Sequence, residues 1–150
     1  MLPSNPKTAT IEMNNNRKYW HPPGNKSKIG SPSDNEKNEI SDFFQPIIEK
    51  FRIQSIKKNP NKKFNYLIDI YTKWNKNYFY ICEKYKSEME NRIQDEFEVK
   101  IARLKFIEKN NFELSYLLHN DQWQKIFPVP LSLKDCAEMI NSNPIFQPIG

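Results

Sequence analysis

Two stretches of this chain alternate apolar and polar side chains with a period of two, the spacing that places every second residue of a β-strand on the same face. The first stretch covers residues 64–74. After a short Asn-Lys-Asn turn, residues 78–85 are rich in aromatic and β-branched side chains. Two such segments joined by a short polar turn predict an antiparallel hairpin.

The register of this hairpin depends on the length of its turn. A two-residue turn pairs Ile70 with Ile81, whereas a three-residue turn pairs Ile70 with Cys82. The change moves every side chain of the second strand to the opposite face of the sheet. We favour the arrangement that points Phe79 and Ile81 toward the core, on the same side as Ile68.

The second alternating stretch covers residues 112–118, and it follows residues 99–107 across a turn at residues 109–111. This pattern predicts a second hairpin. A short fifth strand is predicted at residues 123–127, and Pro128 ends it, because proline fits only at the edge or the end of a strand.

Helices are predicted on both sides of these strands. The first is indicated by apolar residues that recur at helical spacing, namely Ile40, Phe43, Phe44, Ile47, Ile48 and Phe51. Ser41 or Asp42 can cap its start, and residues 33–36 form an earlier capping box. Ser132 caps a last helix that ends before Asn143. We therefore predict an α+β fold in which an antiparallel sheet of about five strands is flanked by two helices, at least one packed across it.

The length of the chain fits one domain and a tail. Residues 1–39 are rich in Pro and Asn and contain few aliphatic side chains, so we predict a disordered N-terminal arm. Residues 19–23 of this arm, Tyr-Trp-His-Pro-Pro, could dock a partner. Residues 40–150 are predicted to form a single α+β domain, with the apolar residues 145–150 docked on it.

Composition excludes several classes of enzyme. Only 3 of the 150 residues are glycine, too few for phosphate-cradling loops, and the motifs of nucleotide-binding proteins, serine hydrolases and zinc proteases are missing. Cys82 and Cys136 lack metal-binding spacing and are interpreted as reduced structural thiols. Glu96 and Glu98 share a strand face and could bind a divalent ion, but we interpret them as solubilising charges. We expect no metal and no cofactor.

No apolar run of about 20 residues is present, and the N-terminus lacks the apolar core of a secretory signal. We therefore expect a cytoplasmic protein without a membrane partner. The net charge of +5 at pH 7 is weak support for an acidic partner, because lysines spread over the whole chain raise nucleic-acid affinity without specificity.

Short signatures in the second half of the chain carry a family resemblance. They are Tyr80-Ile81-Cys82-Glu83, Ile101-Ala102-Arg103 with Phe106-Ile107, the succession Tyr116, Asp121, Trp123 and Pro128, and Phe146 with the final Gly150. In this order they resemble a small, mostly bacterial family known as domain of unknown function 3024. The resemblance implies a shared fold, and it implies no activity because the function of that family is itself unknown.

One face of the predicted sheet combines aromatic and cationic side chains. If the Ile68 side and the Leu104 side point inward, the residues that point outward are Tyr71, Lys73, Tyr78, Tyr80, Arg103 and Lys105. Such a surface suits single-stranded nucleic acid, and equally a protein partner or a homodimer. In a third reading the last helix covers this face and the tyrosines belong to the core. Trp74 and Trp123 are interpreted as core or sheet-edge anchors.

The alternative to a binding module is a small hydrolase. His119 lies beside Asp121 in a predicted turn, where a carboxylate could orient an imidazole as an acid–base catalyst. No nucleophile is identifiable in the sequence, and both residue types are common in turns. We therefore interpret the chain as a non-catalytic interaction module, and we keep the hydrolase as the alternative.

Overall fold

A computed structural model describes residues 30–148 and confirms the predicted order of one helix, five strands and one helix. Its elements are α1 (Asp34–Ser55), β1 (Tyr66–Asn75), β2 (Tyr78–Lys86), β3 (Glu96–Glu108), β4 (Asn111–Leu117), β5 (Trp123–Lys125), α2 (Leu133–Ser142) and a 3-10 turn (Pro144–Phe146). The strands form one antiparallel sheet in the order β1-β2-β3-β4-β5, so the α+β prediction is correct. The predicted disorder of the N-terminal residues, the docking peptide at residues 19–23 and the last residue, Gly150, lie outside the described residues.

Helix α1 begins at Asp34 rather than at Ile40. Ser33 is its N-cap: the Ser33 hydroxyl accepts a hydrogen bond from the Glu36 amide at 3.2 Å, and the Ser33 amide donates to the Glu36 carboxylate at 2.9 Å. These reciprocal bonds satisfy two amide groups that a helix start otherwise leaves unpaired. The helix therefore uses the earlier of the two predicted starts, and residues 34–39 belong to α1 rather than to the arm.

The first hairpin forms in a register that differs from both predicted alternatives. Its turn has two residues but lies one position later than expected, so that Ile70 pairs with Glu83. The predicted pairings of Ile70 with Ile81 and with Cys82 are therefore wrong. The predicted faces are nevertheless correct, because Phe79 and Ile81 are both fully buried.

A β-bulge in β1 reverses the alternation at the start of that strand. The register shifts between Leu67 and Asp69, so Leu67 is buried while Ile68, expected inside, is only half-buried. The bulge also closes part of the free edge of the sheet. Arg52 donates to the Ile70 carbonyl at 2.8 Å, and the Ile70 amide donates to the Asp69 carboxylate at 2.8 Å. Such blocked edges resist pairing with a strand of another molecule.

Both helices pack against the same face of the sheet. The Phe44 ring of α1 lies 5.2 Å from the Phe79 ring of β2, and Ile140 of α2 belongs to the same buried core. The 3-10 turn adds Phe146, which is fully buried and packs edge-on against Tyr116, so the docking predicted for residues 145–150 is confirmed for Phe146, whereas Ile145 is exposed. Within residues 30–148, no helix is long and apolar enough to cross a bilayer.

Candidate functional site

The face of the sheet opposite the two helices is called the outer face below. Strand alternation places all six predicted binding residues on it: Tyr71 and Lys73 on β1, Tyr78 and Tyr80 on β2, and Arg103 and Lys105 on β3. Tyr78 pairs with Lys105, and Tyr80 lies between Lys73 and Arg103. Because α1 and α2 both pack on the other side, neither helix of the described chain covers these residues.

Arg103 occupies the centre of the outer face, between two aromatic rings. Its guanidinium carbon lies 4.6 Å from the centroid of the Tyr78 ring and 4.8 Å from that of Trp123. Trp123 comes from the edge strand β5 and reaches Arg103 across β4, where the residue paired with Arg103 is the small and buried Ser115. Stacking a cation between two rings is favourable because each ring face carries negative charge density.

The hydrogen-bond donors of Arg103 are unused among residues 30–148. Its Nε atom is buried and has no acceptor, and its guanidinium forms no ion pair. Lys105, which pairs with Tyr78 on β2 and with Glu113 on β4, likewise forms no ion pair in the described chain. A buried guanidinium nitrogen without an acceptor is unusual, since its desolvation is normally offset by a carboxylate or a carbonyl oxygen.

Tyr80 packs against the two rings that hold Arg103. It is only 9% exposed, and its ring lies 6.2 Å from Tyr78 and 5.9 Å from Trp123. The ammonium group of Lys100 lies over the Tyr80 ring at 5.5 Å. Tyr80 therefore orients its neighbours more than it presents a ring to a ligand. We call Tyr78, Tyr80, Arg103, Lys105 and Trp123 together the Arg103 patch.

The two remaining predicted residues, Tyr71 and Lys73, are held by a carboxylate. The Lys73 ammonium donates to both oxygens of Glu98, at 2.7 and 2.9 Å, and the Tyr71 hydroxyl donates to the same carboxylate. Lys100 adds a second ammonium group at 3.3 Å from Glu98. We call Tyr71, Lys73, Glu98 and Lys100 the Glu98 cluster. In contrast to Arg103 and Lys105, its lysines are already neutralised in part.

The electrostatics of the Glu98 cluster follow from these contacts. Burial acts to raise the pKa of Glu98, but hydrogen bonds from Lys73, Tyr71 and Lys100 outweigh it and hold the pKa at about 2. Burial, followed by the hydrogen bond to Glu98, raises the pKa of the Tyr71 hydroxyl. Burial also raises the pKa of the neighbouring Cys82 thiol to about 12, with Glu98 adding to the effect. Glu98 is therefore ionised near neutral pH, and Cys82 is an unreactive thiol.

The same contacts disfavour the divalent-ion reading of Glu96 and Glu98. Glu98 is occupied by two ammonium groups, and Glu96 is paired with Lys84 at 3.7 Å. A cation entering here would have to displace lysines that are already bound. No cluster of three or more metal-ligating side chains occurs within residues 30–148. Cys82 and Cys136 are both buried and unpaired, as predicted for structural thiols.

His119 and Asp121 lie in an exposed turn between β4 and β5. The turn is closed by the Leu118 amide, which donates to the Gln122 carbonyl at 2.7 Å, and Asp121 adopts a left-handed φ of 66°. No side-chain hydrogen bond joins His119 to Asp121 in the described part of the chain. Residues 30–148 therefore do not show the hydrogen bond that would orient His119 as a catalytic base.

Two participants in the outer face were not expected there. Trp123 lies on the edge strand as predicted, but its ring packs on Arg103, and Lys100 lies over Tyr80. Strand alternation would have placed Lys100 on the inner side with Ala102 and Leu104. A register shift at Ile101 moves Lys100 and Glu98 to the outer face instead, and the sequence gives no signal for it. Trp74, by contrast, is the predicted core anchor: it packs on Phe79, and its indole N–H donates within 3.2 Å to α1.

Comparison with known proteins identifies a family for this chain. The model of a family described as "Domain of unknown function (DUF3024)" matches residues 37–148, which confirms the resemblance seen in the sequence. No curated protein and no solved structure matches this chain. The matched range begins within α1 and ends after the 3-10 turn, so it includes the whole of the Arg103 patch and the Glu98 cluster.

Proposed function

We propose that this chain, which belongs to the family described as domain of unknown function (DUF3024), is a non-catalytic module that binds single-stranded nucleic acid on its outer face. The observation that carries the proposal is the state of Arg103. Its guanidinium is stacked between Tyr78 and Trp123, and no acceptor within residues 30–148 uses its donors. The side chain is therefore ordered before any ligand binds.

A phosphate group matches the unused donors of Arg103. Guanidinium binds phosphate through two parallel hydrogen bonds, and its planar shape lets it stack on rings while doing so. Lys105 adds a second cation beside Tyr78, and it forms no ion pair within residues 30–148, since its cross-strand neighbour Glu113 pairs with Lys125 instead. The patch therefore offers phosphate contacts in a setting where few internal ion pairs must first be broken.

Aromatic side chains at the patch supply the second element of single-strand recognition. Tyr78 and Trp123 are partly exposed, and unpaired bases stack on such rings with little dependence on sequence. A double helix keeps its bases stacked on one another and cannot use these rings. This is the physical reason for preferring a single-stranded ligand.

The test is a binding titration with labelled oligothymidylate and oligouridylate at several salt concentrations, read by fluorescence anisotropy. Arg103→Ala and Lys105→Ala should each weaken binding and reduce the slope of log K against log salt by about 0.7, because one phosphate contact is lost. Arg103→Lys keeps the charge but loses the stacked plane, so it should weaken binding with the slope retained. Lys84→Ala is the matched control, since Lys84 lies on the same face but is paired with Glu96.

The aromatic variants have a different signature. Tyr78→Ala and Trp123→Ala should cost ~1–3 kcal/mol of binding free energy with the salt slope unchanged, because stacking releases no counterions. The proposal is wrong if the wild-type protein binds neither oligonucleotide, or if Arg103→Ala and Lys84→Ala have equal effects. Light scattering measures whether the protein is a dimer. If it is, and if Tyr78→Ala or Trp123→Ala converts it to a monomer, the outer face is a protein interface instead.

A further inference from the structure

The outer face carries two cationic regions, and they differ in whether their cations are paired. Arg103 and Lys105 have no carboxylate partner among residues 30–148, whereas Lys73 and Lys100 both contact Glu98. We propose that Glu98 ends the nucleic-acid track, confining a bound strand to the Arg103 patch by withholding Lys73 and Lys100 from phosphate. This inference rests on the proposed function and adds to it the extent of the site.

The contacts of Glu98 oppose a phosphate at this point. Both carboxylate oxygens accept from Lys73, at 2.7 and 2.9 Å, and Tyr71 donates to the same group. A phosphate that recruited Lys73 would have to replace these bonds. It would also lie beside a carboxylate that remains ionised, since the pKa of Glu98 is held at about 2 by its three donors against the opposing effect of burial. Like charges at such distances repel strongly at a partly desolvated surface.

The order of side chains along the sheet places Glu98 at a boundary between the Arg103 patch and the Glu98 cluster. Along β2, Tyr78 and Tyr80 lie in the Arg103 patch, and the next outward residue, Cys82, pairs with Lys100 in the Glu98 cluster. Farther along β3, the next outward residue beyond Glu98 is another acid, Glu96. Arg103 and Lys105 therefore lie at one end of the outer face, and Glu98 and Glu96 lie toward the other. The carboxylate beside Lys105, Glu113 of β4, is its cross-strand neighbour but forms its ion pair with Lys125, at 4.0 Å. A strand is expected to contact the patch through only a few nucleotides.

The experiment compares Glu98→Gln with the control Glu96→Gln in the oligothymidylate titration. Both changes remove one negative charge from the same face of β3, but only the first releases Lys73 and Lys100. Glu98→Gln should bind more tightly at low salt, with a salt slope steeper by about 0.7 for each lysine that gains a phosphate. Glu96→Gln releases only Lys84, which lies farther along β2 from the Arg103 patch, so its slope should stay close to that of the wild type. Adding Lys73→Met to Glu98→Gln should remove part of the gain, while Lys73→Met alone should leave the slope unchanged.

The outcomes separate this inference from the proposed function. If the wild-type protein binds no oligonucleotide, the proposed function fails and the boundary fails with it. If the wild type binds and Arg103→Ala weakens it, but Glu98→Gln has the same slope as Glu96→Gln, only the boundary is wrong. Should Glu98→Gln not fold, as judged by circular dichroism, Lys73→Met in the native background decides: a slope reduced by about 0.7 overturns the inference.

Discussion

Replacing Glu98 with Gln removes a charge that two ammonium groups and a tyrosine hydroxyl hold in place, and the structure allows its effect on folding to be estimated. The pKa of Glu98 falls from the ordinary value of 4.5 to about 2 in the folded protein, because hydrogen bonds from Lys73, Tyr71 and Lys100 exceed the opposing effect of burial. At 1.36 kcal/mol for each tenfold change in proton affinity, this difference corresponds to ~3 kcal/mol.

Partial exposure reduces that figure. The Glu98 side chain is 23% exposed, so solvent screens its ion pairs, and we expect Glu98→Gln to lower the free energy of unfolding by ~1–2 kcal/mol near neutral pH. The pKa of Glu98 is lower in the folded state than in the unfolded state. Ionised Glu98 therefore stabilises the fold fully at pH values above its unfolded-state pKa, and this stabilisation is lost as the pH falls toward its folded-state pKa. The difference between the two proteins should therefore shrink between about pH 5 and pH 2.

Urea unfolding followed by circular dichroism at a series of pH values measures this difference. Glu96→Gln is the control: its partner Lys84 is 3.7 Å away and the Glu96 side chain is 48% exposed, so it should change stability by less than ~0.5 kcal/mol. A difference between wild type and Glu98→Gln that stays constant from neutral pH to about pH 2 would refute the reasoning. So would a Glu98→Gln protein as stable as the wild type near neutral pH.

Two further changes test other parts of the structure. Phe146→Ala should lower the free energy of unfolding by ~3–5 kcal/mol, because the ring is fully buried. The adjacent Ile145 is 44% exposed, so Ile145→Ala should lower it by less than ~1 kcal/mol. Equal urea midpoints for the two variants would show that the C-terminal turn lies outside the cooperative core. His119→Ala should change stability by less than ~0.5 kcal/mol and leave oligonucleotide binding intact, and a larger loss in either assay would mean that the turn has a role beyond connecting β4 and β5.

The elements of the fold are determined by local rules that the sequence displays. Ser33 and Glu36 satisfy each other's amides three residues apart, so the start of α1 is encoded within one helical turn. Strict alternation in β4 likewise predicts which side chains share a face, because successive residues of any strand point to opposite sides. These signals need no knowledge of distant residues, and they were sufficient for the α+β prediction and for the buried positions of Phe79 and Ile81.

The register of the first hairpin and the bulge in β1 depend on the folded protein. Local propensity does not distinguish a turn at one position from a turn one residue later, and the pairing of Ile70 with Glu83 is set by which side chains the core accepts. The bulge is equally hidden in the sequence. It buries Leu67 in place of Ile68 and lets Arg52 from α1 reach the Ile70 carbonyl, a contact between residues 18 positions apart.

The candidate site divides in the same way. Alternation alone assigned Tyr71, Lys73, Arg103 and the other predicted residues to one face, because strand geometry permits only two directions. It could not show which cations on that face are free, since this depends on partners brought close only by the strand order. Lys73 meets Glu98 across 25 positions of sequence, and Trp123 reaches Arg103 from the edge of the sheet. Pairing across a folded sheet, rather than residue type, therefore decided that Lys73 forms an ion pair with Glu98 and that Arg103 forms none within residues 30–148.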